Sequence, residues 1–184
     1  MSVESNYIQN SRTLCHYYKD LGEKAMVQVE EKRLFWAFNN DSNSIALIVQ
    51  HVGGNMLSRF TNFYDEDGEK SWRNRDGEFE LRISTSEELM KYWENAWKVL
   101  FDILDNLKDE DLSRIVYIRN EGHTVLEALN RQLAHYSYHI GQIVFLSKMV
   151  AADGWKSLSI PKNGSEAFNH EKFQQEKGRR NFIK

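Results

Sequence analysis

The stretch TVLEALNRQLAHYSYHIGQIVFLSKMVA, residues 124–151, decides the fold of this chain. It opens with Thr124 and Glu127 in the spacing of a capping box, in which the two side chains bond free backbone N–H groups at the start of a helix. Apolar residues then recur every three or four positions, the period of one helix face: Leu126, Leu129, Leu133, Tyr136, Ile140 and Val144. The stretch therefore predicts one long helix from about Val125 to Ala151.

Two histidines in this helix lie one turn apart. His135 and His139 point the same way, because a helix brings residues four apart onto one face. They share a stripe with Gln132 and Gln142 beside the apolar face. The spacing alone leaves two interpretations open, a shared ligand site or histidines hydrogen-bonded in the interior or at an interface. The remaining histidines are interpreted as surface, turn and tail residues: His16, His123 and His170.

Three earlier segments also predict helices. Apolar residues on a three-to-four spacing predict a first helix from Tyr7 to Ala25, and the short polar residues from Ser42 to Ser44 can cap a second. The segment TSEE at 85–88 is another capping box and begins a third helix that continues to about Leu107. The chain is therefore predicted to be all-α, with a single bundle domain over residues 1–168 and a polar, mobile tail over 169–184.

Two connections between these helices have distinct patterns. Residues 64–84, YDEDGEKSWRNRDGEFELRIS, are too charged and too rich in glycine for an amphipathic helix, and predict a long solvated loop. Loops of this length are often functional. The alternating segment RIVYIRNEGHTV, residues 114–125, favours a short hairpin that turns at residues 120–122 before the last helix.

His51 in the second helix is the natural third member of the histidine site. Facing helices of a bundle converge on its interior, which is where bundles build metal sites. Asn55 lies along the same edge of the helix as His51. The neighbouring Gly53 and Gly54 weaken a helix, so they indicate either close packing or a ligand against the backbone, or small residues tolerated at a helix contact.

Three imidazoles indicate a divalent metal ion. Neutral imidazole binds zinc, nickel, copper or ferrous iron, and three such ligands leave coordination positions open for water or substrate. They also leave the 2+ charge uncompensated, so a bound water or thiol becomes more acidic. We expect Asn55, Gln132 and Gln142 to orient the imidazoles, and Arg131 to hold an anionic group of a substrate. Arg131 and Asn55 are the candidate catalytic residues.

Composition narrows the class of partner. A net charge of −3 and a pI near 6.1 give no electrostatic reason to expect nucleic acid or an anionic membrane. The longest aliphatic run, IALIV at 45–49, is far shorter than the ~20 residues that cross a bilayer. A single cysteine, Cys15, and a polar start without a basic then apolar run predict a cytoplasmic protein that binds small molecules or proteins.

Three features together resemble the DinB-like superfamily of bacterial four-helix-bundle metalloproteins: the order of the predicted elements, a histidine early in the second helix, and the paired histidines of HYSYH at 135–139. Within it, three segments resemble an uncharacterised branch: NMLSRFTNFYDEDGEKSWRNRDGEFE at 55–80, HTVLEALNRQLAHYSYHIGQIVFLSK at 123–148 and LSIP at 158–161. The resemblance implies an up-down-down-up four-helix bundle, a homodimer, and a nickel or zinc ion held by His51, His135 and His139.

The same resemblance gives three expectations for function. Characterised relatives include metal-dependent transferases and an isomerase that use low-molecular-weight thiols, and proteins labelled hydrolases. We expect a thiol-dependent transferase, with a water-activating hydrolase or a non-enzymatic, metal-binding stress-response module as the alternatives. No glutamate stands beside the histidine pair as in HExxH, which favours a thiol nucleophile or no catalysis. Aromatic residues around more than one face of the third helix are a second reason to expect a dimer: Tyr92, Trp93, Trp97 and Phe101.

Overall fold

A computed structural model describes residues 1–180 of the chain, and this part is mostly helical. The four long helices within it are α1 (Val3–Met26), α3 (Ile45–Phe60), α4 (Ser86–Asn106) and α5 (Val125–Ala151). Shorter elements are α2 (Glu31–Leu34), α6 (Ser165–Phe173) and the antiparallel strands β1 (Ile115–Ile118) and β2 (Glu121–Thr124). The helical class is as predicted.

The long helices surround one apolar core. Helix α3 packs chiefly on α4, and α1 chiefly on α5, while α3 also contacts α5 and α1 also contacts α4. The largest side chains that are fully buried between them are Trp93, Trp97, Tyr136, Phe60 and Ile45. Because both tryptophans of α4 are buried within one chain, the aromatic residues of this helix no longer argue for a dimer.

Local sequence signals set the helix ends. Ser44 accepts from the backbone N–H of Leu47 at the start of α3, and Thr85 with Glu88 forms the predicted capping box of α4. At the start of α5, the backbone N–H of Glu127 donates to Thr124 Oγ1, and the backbone N–H of Thr124 donates to the Glu127 carboxylate. Helix α5 has the predicted bounds.

The predicted hairpin is present, but its turn lies earlier than expected. Arg119 and Asn120 occupy the two turn positions with φ of 58° and 61°. Two successive residues with positive φ form the turn that matches the twist of a tight hairpin. The Asp67 carboxylate accepts from both of their backbone N–H groups at 2.8 Å, which connects the turn to the 64–84 segment.

The 64–84 segment is a loop, as predicted, but it is only partly solvated. It folds against α3 and contains one turn of 3₁₀ helix, Asp76–Phe79. The Lys70 and Glu78 residues are 6% and 8% exposed. Gln50 of α3 holds the segment by three hydrogen bonds, from its Nε2 to the carbonyls of Glu78 and Glu80 and from the N–H of Arg82 to its Oε1. The segment is thus a part of the packed domain.

The end of the chain contains one more helix than expected. Helix α6 covers residues 169–173 of the predicted tail, and all of its residues are partly or fully exposed. Residues 181–184 of that tail lie outside the described residues. Within residues 1–180, no helix combines the length and the apolar character needed to cross a lipid bilayer.

Candidate metal centre

Helices α3 and α5 bring three histidines together. His51 lies midway along α3, and His135 and His139 lie one turn apart on α5 where it packs against α3. One ring nitrogen from each of the three lies within 4.8 Å of the other two. The rings meet edge to face, with centroids 4.6 to 5.5 Å apart. The three histidines therefore converge in the structure as the sequence predicted.

The separation of the two α5 histidines suits a shared ion. Nε2 of His135 and Nε2 of His139 are 3.1 Å apart. Two nitrogens bound to one zinc ion at about 2.0–2.1 Å lie about 3.3 Å apart at the tetrahedral angle. The pair would therefore need almost no movement to bind a metal, and His51 would supply the third donor from the facing helix.

The outer nitrogens of two rings have partners that orient them. His139 Nδ1 is 2.8 Å from Gln142 Oε1, and His51 Nδ1 is 3.0 Å from Glu78 Oε2. An imidazole that donates from Nδ1 presents the lone pair of Nε2, which is the usual arrangement for a metal-binding histidine. Among the described residues, His135 Nδ1 is buried without a hydrogen-bond partner.

The α5 histidines are held neutral, the form that binds a metal. Burial, followed by the neighbouring His139 and His51, lowers the pKa of His135 to about 3. Burial also lowers the pKa of His139, against the opposing effect of the hydrogen bond that His139 Nδ1 donates to Gln142 Oε1. Neither imidazole needs to lose a proton near neutral pH to accept an ion.

Glu78 is a candidate site residue that the sequence did not predict. Its carboxylate accepts from His51 Nδ1 and, through two further hydrogen bonds of 2.7 and 3.0 Å, from the Arg73 guanidinium. Burial acts to raise the pKa of Glu78, but the hydrogen bonds from His51 and Arg73 outweigh it and hold that pKa below its ordinary value. A carboxylate that fixes the outer nitrogen of a histidine is the common second partner of a metal ligand.

Gly54 provides the space that Glu78 occupies. A Cβ atom at Gly54 would lie 2.5 Å from Glu78 Oε1. A Cβ atom at the adjacent Gly53 would overlap the ring of Tyr92. Close packing is therefore the reason for both glycines. Gly54, three residues after His51, indicated a group packed against the helix here, but it did not identify Glu78.

The other predicted site residues lie nearby in different roles. Asn55 Oδ1 accepts from the Tyr136 hydroxyl at 3.2 Å. Its expected role in orienting a histidine stays a prediction. Gln132 is 4% exposed, and among the described residues its Oε1 has no hydrogen-bond partner, so no contact with a ring nitrogen supports its expected role. Arg131 lines a cavity with His51 and His135. Gln142 is the only one of the three expected orienting residues that contacts an imidazole within residues 1–180.

The remaining histidines lie apart from this centre. His16 is exposed and stacks on Phe101, with ring centroids 4.0 Å apart. His123 pairs with Val116 in the hairpin, and His170 is exposed on α6. Among the described residues, His51, His135 and His139 form the one group whose donor atoms can share an ion.

The family described as "Protein of unknown function (DUF1572)" matches residues 2–164. The chain belongs to this family. The match includes all three histidines and Glu78, and it ends just before α6. No sequence among the curated proteins matches the chain. The family assignment therefore leaves the chemistry to be argued from the site.

Proposed function

We propose that His51, His135 and His139 bind one divalent ion, zinc or nickel, and that the chain is a metal-dependent transferase that uses a low-molecular-weight thiol. The converging nitrogens, with outer partners on two of the three rings, support the metal site. Three neutral donors leave room for a further ligand. An ion held there would act as a Lewis acid that lowers the pKa of a thiol or water bound to it.

The lining of the adjacent cavity favours a thiol over water as the nucleophile. Among the described residues that line it, there is no aspartate or glutamate. The nearby Glu78 is already committed to His51 and Arg73. A hydrolase commonly needs a general base to take a proton from water, whereas a thiol with an ordinary pKa near 8.5 ionises readily once that pKa is lowered.

The thiol would have to come from a small molecule. Burial raises the pKa of Cys15, the chain's single cysteine, to about 12, so its thiolate is not available near neutral pH. A free, buried thiol also suits a reducing compartment such as the cytoplasm.

Two residues of the cavity have roles in this reading. We propose that Arg131 binds an acidic group of the substrate, and its position one turn before His135 in the cavity wall supports this role. Asn55 lines the same cavity, and its amide nitrogen remains to donate because its oxygen accepts from Tyr136. Both are positioning groups for a substrate.

The topology of the helical bundle and the oligomeric state are also part of this proposal. We propose that the four long helices form the up-down-down-up bundle of the DinB-like superfamily, and that two chains form a homodimer. The pairing of α3 with α4 and of α1 with α5 supports the bundle. Light scattering at micromolar concentration tests the dimer, and a mass of 21.7 kDa alone would contradict it.

A cobalt-substituted protein tests the proposal that a low-molecular-weight thiol binds the metal ion. A panel of low-molecular-weight thiols should change its visible spectrum through direct cobalt–sulfur bonding. His51→Ala should remove this change, while His16→Ala, an exposed histidine outside the site, should preserve it. A spectrum that responds to phosphate or ester ligands and not to thiols would favour the hydrolase, and a spectrum that responds to neither would favour the non-enzymatic module.

A further inference from the structure

A small cavity beside the histidines is lined mainly by arginines. Its volume is about 160 Å³, below the ~300–1,000 Å³ of sites for drug-sized ligands. His51 and His135 belong to its wall, so it adjoins the candidate metal centre. The remaining lining residues are Asn55, Arg59, Arg73, Arg75, Arg119, Arg131 and Gln132.

Positive charge exceeds negative charge around this cavity. Glu69 contacts Arg59, Arg73 and Arg119, and Glu78 contacts Arg73. Within residues 1–180, these two carboxylates are the only ones in ion pairs with the five arginines. The Asp67 carboxylate is a third negative charge near the cluster, since the charge of Arg59 helps to lower its pKa. Three negative charges against five positive ones leave a formal excess of two.

Two of the arginines are buried and three are exposed. The side chains of Arg59 and Arg73 are 6% and 3% exposed, whereas Arg75, Arg119 and Arg131 reach the surface. Burial, and next the charge of Arg73, lower the pKa of Arg59, which reflects the cost of placing two guanidinium groups close together. Among the described residues, Arg75 and Arg131 have no ion-pair partner, so their donors are available to a ligand.

We propose that this cavity binds a small ligand with at least two negative charges, either carboxylates or a phosphate, through Arg75, Arg119 and Arg131. The guanidinium group presents a planar fork of donors that matches both of these anions, and several such forks in one place select a ligand with more than one acidic oxygen pair. The limited volume selects a small molecule or the acidic end of one.

The ligand and the metal ion should strengthen each other's binding. His51 and His135 are shared by the cavity wall and the histidine cluster, so a dianion in the cavity lies beside a dication at the histidines. Opposite charges at adjacent sites attract, and the effect on the two affinities is reciprocal. This coupling rests on the proposed metal centre, whereas the anion site itself does not.

Calorimetry on metal-free protein tests the anion site. Succinate and inorganic phosphate should each bind at least tenfold more tightly than acetate, and the tighter of the two identifies the chemistry of the ligand. The double variant Arg75→Ala/Arg131→Ala should weaken the tighter dianion at least tenfold. Arg33→Ala, an exposed arginine on α2, serves as the control and should change the affinity less than twofold.

Two results would overturn the anion site. One is that neither succinate nor phosphate binds better than acetate, and the other is that the double variant binds the tighter dianion as well as the control variant does. A far-UV circular dichroism spectrum equal to the wild type's confirms that the variant is folded.

A second titration separates the anion site from the metal centre. One equivalent of zinc should raise the affinity for succinate at least fivefold. If zinc leaves that affinity unchanged while the metal-free protein still binds succinate, the coupling is wrong and the anion site stands. If the wild-type protein binds succinate but no zinc, the proposed metal centre is wrong and the arginine cavity remains supported.

Discussion

Replacing Glu78 by glutamine should weaken metal binding while α3 and α5 keep the three histidines close together. The carboxylate accepts from His51 Nδ1 and from two nitrogens of Arg73. A glutamine has the same shape, but it has one acceptor oxygen and no charge. It can therefore no longer satisfy both His51 and Arg73, and the donor lone pair of His51 becomes less basic and less well oriented.

The magnitude follows from these contacts. Loss of a hydrogen-bonded partner of a metal-binding histidine typically lowers metal affinity 10- to 100-fold. That factor corresponds to about 1.4–2.8 kcal/mol. Arg73 also loses its closest carboxylate, and breaking a buried ion pair by removing one partner costs about 3–5 kcal/mol. Because Glu69 remains 3.4 Å from Arg73, we expect a loss of metal-free stability near the lower end, about 3 kcal/mol.

Glu69→Gln is the matched control. Glu69 contacts three arginines of the same cluster but not His51. Competition with a chromogenic chelator measures zinc affinity, and urea unfolding of metal-free protein measures stability. Both variants should be less stable, but only Glu78→Gln should lose zinc affinity by tenfold or more. Equal zinc affinities for the two variants would refute the role of Glu78 in orienting His51.

Three further predictions concern the segment that carries Glu78. Gln50→Ala removes three hydrogen bonds to residues 78–82 and should lower the free energy of unfolding, measured in urea, by about 2–4 kcal/mol. It should also weaken zinc binding, because these bonds hold the segment that carries Glu78. Unchanged zinc affinity would contradict this dependence of the metal site on the segment. Gly54→Ala should displace Glu78, since its Cβ would lie 2.5 Å from Oε1, and should weaken zinc binding about tenfold in the chelator assay. Asp67→Asn should be less stable than the wild type at neutral pH. Burial acts to raise the pKa of Asp67, but backbone hydrogen bonds outweigh it and hold that pKa below 3.8 in the folded protein. The difference in unfolding free energy between the wild type and the variant should therefore shrink as the pH falls below 3.8 and Asp67 becomes protonated. A difference that is the same in urea at pH 7 and pH 3 would contradict this account.

Much of the helical frame could be predicted from sequence because its signals are local. The two capping boxes contain all of their partners within four residues, and apolar spacing along 125–151 extends over the whole helix. The convergence of His135 and His139 follows from helix geometry alone. The position of His51 opposite them needed only the general rule that facing helices share an interior.

The segment at 64–84 could not be placed in this way. Its conformation depends on partners distant in sequence, above all Gln50 of α3 and the hairpin turn that Asp67 binds. A run of charged residues has the same pattern whether it is solvated or paired inside a fold. Glu78 and the arginine cavity both depend on this segment, so neither was predicted as part of the site.

The aromatic residues of α4 show a similar limit. Spacing placed Trp93 and Trp97 on a wide apolar face, but it could not tell a face buried within one chain from one buried between two chains. Their complete burial inside the monomer answers that question.

A crystal grown with zinc and measured at the zinc absorption edge tests the central claim most directly. The account predicts one anomalous peak per chain at about 2.0–2.1 Å from Nε2 of His51, His135 and His139, with His51 Nδ1 still bonded to Glu78. Absence of a peak among these nitrogens, or a peak elsewhere in the chain, would contradict it.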